Sequence, residues 1–394
     1  MKRLILAGGG HAHLFVLEHL ARFPRSDLDV TLISPDQWQY YSGMLPGWMA
    51  GVYRQEQCRI DLRPLAAAAG ARFIRQPLVG MKADQGFVCT TNGRHFQYDL
   101  LSIDVGSETN CEWLGQLGDR LLPVKSRDFQ SRWLEIVARS QTKADFRLIV
   151  VGGGAAGVEL ALAARQSLRC ERTSARVTLV CGPKGLLREH GSGARLRIAA
   201  LLDKLGVEVL NQRAVGVEDG VLLADGRQFQ ADSVVAATGA RAPIWLRLSG
   251  LRLDNHGYVD VDQFHRSRSH AAVFAAGDVC ARSDVMLGRS GVHAVRAGPV
   301  LAHNLLAALD GRPLRPFRPT RRALYLLASG NGEAVASWGS RSASGRCVWR
   351  WKDLIDRRFV RRFTTAMPDR RNVGAPEKEP LGAYGKLGPV DRDE

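Results

Sequence analysis

Residues 147–166 read RLIVVGGGAAGVELALAARQ. Four apolar residues, Leu148 to Val151, run into a glycine turn that opens an alanine- and leucine-rich stretch of helical character. Gly152, Gly154 and Gly157 fall at G-x-G-x-x-G spacing. The first glycine permits the tight turn, the second lets the backbone approach a pyrophosphate, and the third brings the helix close to the strand. The free N–H groups and partial positive charge of the helix N-terminus then favour phosphate. RVTLVCG at 176–182 supplies the next strand, so the segment reads as a β-α-β nucleotide-binding unit.

The same pattern recurs nearer the start, in LILAGGGHAHLFVL (4–17) followed by VTLIS (30–34). Gly8 and Gly10 are in register, but His13 stands where the third glycine belongs. The expectation is a retained but loosened site, with His13 on the helix surface away from any ligand. DLLSIDVGSE (99–108) and DSVVAATGARAP (232–243) each follow one unit as a strand and a glycine turn. AVFAAGDVC (272–280) is a further buried strand ending in Gly277-Asp278, with a helix-like stretch at 291–309. This internal duplication organises the chain. The expected fold is α/β, with two Rossmann-like dinucleotide-binding domains, the second inserted in the first, and a small C-terminal α+β region. The boundaries predicted are 1–123 with 250–318 for the first domain, 124–249 for the second, 319–366 for the C-terminal region and 367–394 for a flexible tail.

Two dinucleotide sites in one chain point to a flavin beside a pyridine nucleotide. Asp278, at the end of a late strand, is placed to bind the polyol of a flavin's ribityl chain, or alternatively to cap the helix that follows.

Composition narrows the alternatives. The 394 residues are 45% hydrophobic and 24% charged, enough for two or three domains with proper cores. No apolar run is long enough to span a bilayer, and Leu4–Leu6 is too short for a signal peptide core, so a cytoplasmic location is expected. The net charge of +16 comes with no nucleic-acid module signature, so no nucleic-acid partner is expected. Seven cysteines, at 58, 89, 111, 170, 181, 280 and 347, lack C-x-x-C and C-x4-C spacing. That pattern argues for reduced thiols and against a metal site. Arginines crowd residues 341–371, and Trp351, Ile355, Phe359 and Phe363 recur every four residues. Apolar stripe plus arginines reads either as peripheral membrane contact through 351–363 or as a stripe packed on the first domain.

The combination of GGGHAH, VVGGGAAGVELA, AATGARAP and FAAGDV resembles the pyridine nucleotide-disulfide oxidoreductase superfamily of two-dinucleotide-domain flavoproteins. HAVRAGPVLAHNL is similar to the flavin-facing helix of type II NADH dehydrogenases. QYYSGMLPGWMAG (39–51) and WRWKDLIDRRFVRRF (349–363) resemble the flavoprotein domain fused to selenide, water dikinase. The resemblance implies FAD as cofactor, held near Gly8, Gly10, His11, Ser34, Asp36, Val79, Gly106, Gly277 and Asp278. It implies NADH or NADPH as electron donor, near Gly152, Gly154, Gly157, Lys184 and Gly239.

The superfamily ends the strand after each fingerprint with an acid for the adenosine ribose. Here Ser34 and Cys181 stand there, Asp36 is near the first ribose, and Lys184 leaves room for a 2′-phosphate. NADH and NADPH therefore both stand. The disulfide-reducing branch carries a cysteine pair soon after its first β-α-β unit, where this chain has YYSGMLPG. Electrons are then expected to leave the flavin directly, to a quinone-like acceptor. Glu159 matches the glutamate kept near nicotinamide and flavin in type II dehydrogenases and is the catalytic candidate, with a capping or surface role as the alternative. Tyr40 and Tyr41 are candidates for the flavin pocket. A slow redox-responsive flavoprotein and a reductase of a selenium or sulfur species remain open, as does a homodimer.

Overall fold

The computed structural model describes residues 1–169, 174–285, 288, 291–320 and 323–364. The tail expected at 367–394 lies outside the described residues. In chain order, the elements that position the site begin with β1 (Lys2–Ala7), α1 (His11–Arg22), β2 (Leu28–Ser34), β3 (Arg72–Arg75) and β4 (Leu100–Ile103). They continue with β5 (Leu121–Pro123), β6 (Arg147–Val151), α2 (Ala155–Ser167), β7 (Arg176–Cys181), β8 (Val207–Asn211) and β9 (Ser233–Ala236). Next come β10 (Val273–Ala275) and α3 (Gly291–Leu309), then β11 (Leu324–Ala328), β12 (Ala334–Trp338), β13 (Arg341–Gly345) and α4 (Arg346–Thr364).

Two parallel five-stranded sheets result, in the orders β10-β4-β1-β2-β3 and β5-β9-β6-β7-β8. Both are Rossmann-like, as the glycine fingerprints require. Their central strands are buried along almost their whole length, which is why they read as continuous apolar runs and not as alternating ones. The chain leaves the first sheet after β4, builds the second, and returns through β10. A short ribbon pairs Glu108–Thr109 with Ala240–Arg241, so the glycine turns that follow β4 and β9 are stitched to each other.

Beyond the second return, β11-β12-β13 form an antiparallel sheet that leads into α4. This C-terminal region touches both sheets. His190 Nδ1 lies 3.0 Å from Ser337 Oγ, and Gly330 leaves room for the backbone of α2 at Ala163. On the other side, Phe359, Val360 and Phe363 of α4 enter the core beside Phe15 of α1. Among the described residues, no helix is long and apolar enough to cross a membrane.

The C-terminal half of the apolar stripe of α4 is packed against protein. Phe359 is 2% exposed, and its ring stacks on Tyr41 at 4.5 Å. Of the two readings of this stripe, packing on the first domain is met at its C-terminal half, while Trp351 at its start is 37% exposed. Phe359 and Phe363 pack on Phe15 of α1, and Phe359 also on Tyr41.

Candidate functional site

Each glycine turn is closed by the strand that follows in its sheet. Gly8 has φ +98° and Gly152 φ +134°, conformations that disfavour side chains, and a Cβ at either would overlap the carbonyl oxygen of Asp104 or Ala237. In the second turn a Cβ at Gly157 would overlap the carbonyl oxygen of Gly152, so the third glycine is required by helix–strand contact. A Cβ at Gly154 would meet nothing within 4 Å. The space in front of that helix N-terminus is open.

The first turn is built differently. His13 is buried, not on the helix surface, and the expectation of a surface histidine fails. Its Nδ1 lies 2.6 Å from the Gly8 carbonyl oxygen and its Nε2 lies 2.8 Å from Ser102 Oγ on β4. An imidazole thus spans the gap that the third glycine closes in the second turn. It binds strand, turn and helix together, so the turn is not loosened. Burial drives its pKa down to about 4, so the ring is neutral.

Behind Gly10 stands Asp104, a residue the sequence did not mark. Its Oδ2 accepts from the amides of Ala12 at 2.8 Å and His13 at 3.1 Å, the second and third residues of α1. A Cβ at Gly10 would overlap this carboxyl group, and one at Gly277 would stand 2.6 Å from its Oδ1. Burial pushes Asp104 up to about 7 against those two hydrogen bonds, and Asp278 adds to the rise. Asp278 itself pairs with Lys125 Nζ at 2.7 Å and accepts from Ser107 Oγ at 3.2 Å. Lys125, just past β5, is a second residue missed from sequence.

Ser34 is buried at the end of β2 against Gly9, and Asp36 accepts from the Trp38 amide at 3.1 Å. Val79 is half exposed in the strand Leu78–Lys82, a few residues past β3. Gly106 and Gly239 both have positive φ with open space where a Cβ would be. Lys184 is exposed in the turn after β7, whose last residue, Cys181, is fully buried.

Between the two turns lies a buried polar cluster. Glu159 of α2 accepts from the Ala328 amide of β11 at 2.7 Å, so it neither caps its own helix nor faces solvent from the helix surface. Burial raises it to about 7, partly offset by Lys352. Lys352 and Asp356 of α4 form an ion pair at 2.6 Å with side chains 6% and 5% exposed. Lys352 also donates to the Gly43 carbonyl oxygen at 2.7 Å. Burial pushes the Asp356 carboxyl up, and hydrogen bonds from Lys352 and Tyr41 partly offset it. Tyr41 packs edge-on against His11, 5.6 Å between centroids, and a Cβ at Gly291, where α3 starts, would stand 3.3 Å from Ser42 Oγ. The Nε2 of His11 is buried with no hydrogen-bond partner. Tyr40 is peripheral, with its hydroxyl 3.3 Å from Gln55 Nε2.

Residues 2–304 match the family model described as pyridine nucleotide-disulphide oxidoreductase. An NADH dehydrogenase-like protein of Mycobacterium tuberculosis is 28% identical over 299 residues, 71% of this chain and 73% of that protein. Alternative NAD(P)H-ubiquinone oxidoreductase C1 of Arabidopsis thaliana is 23% identical over 362 residues, 80% of this chain and 69% of that one. The crystal structure of sulfide:quinone oxidoreductase from Aquifex aeolicus superposes with a TM-score of 0.76 at 18% identity, covering 93% of each chain. The chain belongs to the pyridine nucleotide-disulphide oxidoreductase family. It is a flavin oxidoreductase that uses FAD with NADH or NADPH.

Proposed function

We propose that the protein oxidises NAD(P)H and passes the electrons to a quinone-like acceptor with no thiol in the path. The observation that carries this reading is the composition of the segment at Tyr41–Met44. Where the disulfide-reducing branch keeps its thiols, this chain packs Tyr41 and the Gly43 carbonyl against a buried Lys352–Asp356 pair. Quinone reduction needs protons as well as electrons, and this cluster is made of groups that carry them.

On this reading residues 1–123 and 250–318 hold FAD, and residues 124–249 hold the pyridine nucleotide. The residues of the first turn fit the flavin dinucleotide. Gly8, Gly10 and Gly277 form a cradle without side chains, and the unpartnered His11 Nε2 is a polar atom awaiting a ligand. Ser34 and Asp36 stand at the end of β2 for the adenosine ribose, and Asp278 with Lys125 for the ribityl chain. Val79 and Gly106 complete the outer rim. FAD supplies two-electron chemistry, taking hydride from a nicotinamide and giving electrons to the acceptor. The protein's share is position and charge.

Gly152, Gly154 and Gly157 would seat the pyridine nucleotide on the N-terminus of α2, and Gly239 leaves its turn without a side chain. Lys184 stands where an adenosine ribose with or without a 2′-phosphate would lie. The start of α3 presents its positive end beside Ser42 and His11, favouring negative charge there. Glu159 acts as proton donor or acceptor beside the nicotinamide. Its elevated pKa keeps a proton available near neutrality.

The test is anaerobic reduction by NADH and by NADPH, followed by stopped-flow reoxidation with a soluble quinone. Both steps are expected to survive in the Cys111→Ser, Cys280→Ser double variant. If flavin reduction survives but reoxidation collapses in that variant, a thiol lies in the path and the acceptor is a sulfur or selenium compound.

A further inference from the structure

Phosphate is held at a helix N-terminus by amides that have no partner inside the protein. In the second turn that condition is met, with open space in front of Gly154. In the first turn the amides of Ala12 and His13 are already engaged by the carboxyl group of Asp104, which is 3% exposed. Gly10 has an ordinary φ of −68°, so no backbone strain demands glycine there. What excludes a side chain at Gly10 is Asp104 itself, and Gly277 meets the same carboxyl from the other side. A built-in carboxyl thus sits beneath the cradle, between α1 and the Gly277-Asp278 turn.

A pyrophosphate brought to this cradle would meet an ionised carboxylate through low-dielectric surroundings, and such like charges repel strongly. The repulsion is removed if the carboxyl takes a proton. In its acid form one oxygen still accepts from both amides, and the hydroxyl becomes a donor where an anion needs one. We propose that this chain binds FAD together with one proton, taken from solvent and held on Asp104. The proposal rests on the assignment of the first turn to FAD. It names a binding residue whose ionisation couples cofactor retention to pH.

Burial and the neighbouring Asp278 bring Asp104 to about 7 without the ligand, so only a modest further rise is needed. The other groups facing it are few. From α1 come His11 and His13, both driven to about 4 by burial. From the Gly277-Asp278 turn comes Asp278, paired with Lys125. From α3 comes His293, which burial and Arg296 push below the ordinary histidine value. The histidines therefore stay neutral above neutrality, and Asp104 is the group left to report.

The experiment is calorimetric titration of the full chain, freed of FAD, with FAD at pH values from about 6.5 to 8.5, in buffers of different ionisation enthalpy. Wild type is expected to take up about half a proton per FAD between about pH 7 and 8, with Kd rising several-fold from about pH 6.5 to 8.5. Asp104→Asn, which keeps an acceptor for the α1 amides, is expected to bind FAD with no proton uptake and a flat pH profile. The proposal is overturned if wild type binds FAD without proton uptake, a measurement that needs no variant. It is equally overturned if Asp104→Asn retains the uptake. If wild type binds no FAD at any pH, the assignment of the first turn falls and the proposal with it.

Discussion

The buried ion pair of α4 yields the sharpest quantitative test. Replacing Lys352 by Met leaves the Asp356 carboxylate without its cation at a position 5% exposed. Breaking a buried pair from one side costs about 3–5 kcal/mol, because the remaining charge keeps its desolvation penalty. Asp356→Leu leaves Lys352 with the Gly43 carbonyl alone and should lose a similar amount. Removing both charges is different. Lys352→Met with Asp356→Leu strands the Gly43 carbonyl and the Tyr41 hydroxyl, a loss of about 1–3 kcal/mol each and so about 2–6 kcal/mol together. Independent sites would sum to roughly 6–10 kcal/mol, so the cycle should show a coupling of several kcal/mol in favour of the double variant. The assay is urea unfolding of the holoprotein with FAD in fixed excess, following tryptophan fluorescence and flavin release together. Additive losses, or single-variant losses under about 1 kcal/mol, would show that the pair is solvated and that α4 does not seal the site.

Three further outcomes follow from the geometry. Gly157→Ala forces a Cβ into the Gly152 carbonyl, so flavin reduction by NAD(P)H should slow at least about tenfold, while FAD content and reduction by dithionite stay unchanged. Lys184→Glu should weaken NADPH about ten- to a hundredfold and leave NADH within about twofold, measured by stopped-flow titration of flavin reduction; equal effects would place Lys184 away from the ribose. Glu159 carries its proton below about 7 and loses it as pH rises, so quinone-dependent reoxidation of FAD-saturated enzyme should fall above that pH. Glu159→Gln should give a slower, flat profile, and a retained pH step would assign the proton to another group.

The framework was legible because it rests on local signals. Leu148 to Val151 and Leu4 to Ala7 are buried on both faces and so read as unbroken apolar runs, and Gly8 and Gly152 hold φ values that favour glycine. What escaped was every feature made by pairing across the chain. Asp104 meets Ala12 across 92 positions, Lys125 meets Asp278 across 153, and His13 meets Ser102 across 89. His13 shows why. A polar residue at a helix–strand contact is unfavourable unless both ring nitrogens find partners, and the sequence around it contains neither the Ser102 hydroxyl nor the geometry that aims it.

The C-terminal helix shows the opposite case, in which the decisive residues were visible in the sequence and left two readings, membrane contact or packing on the first domain. Lys352 and Asp356 fall beside Trp351, Ile355, Phe359 and Phe363, and on a membrane-lying helix they would be blemishes in the apolar stripe. A bilayer offers such a pair no specific partners. A protein interior does, and here Lys352 reaches Gly43 while Asp356 accepts from Tyr41. Arg362 makes the same point from the flank, since it is held by both oxygens of the buried Glu18 at 2.9 and 2.7 Å. Opposite charges spaced i, i+4 inside an aromatic stripe mark a helix that docks on protein, because only protein can supply the third and fourth hydrogen bonds that make burying the pair tolerable. On that logic the stripe closes the segment at Tyr41–Met44 from outside.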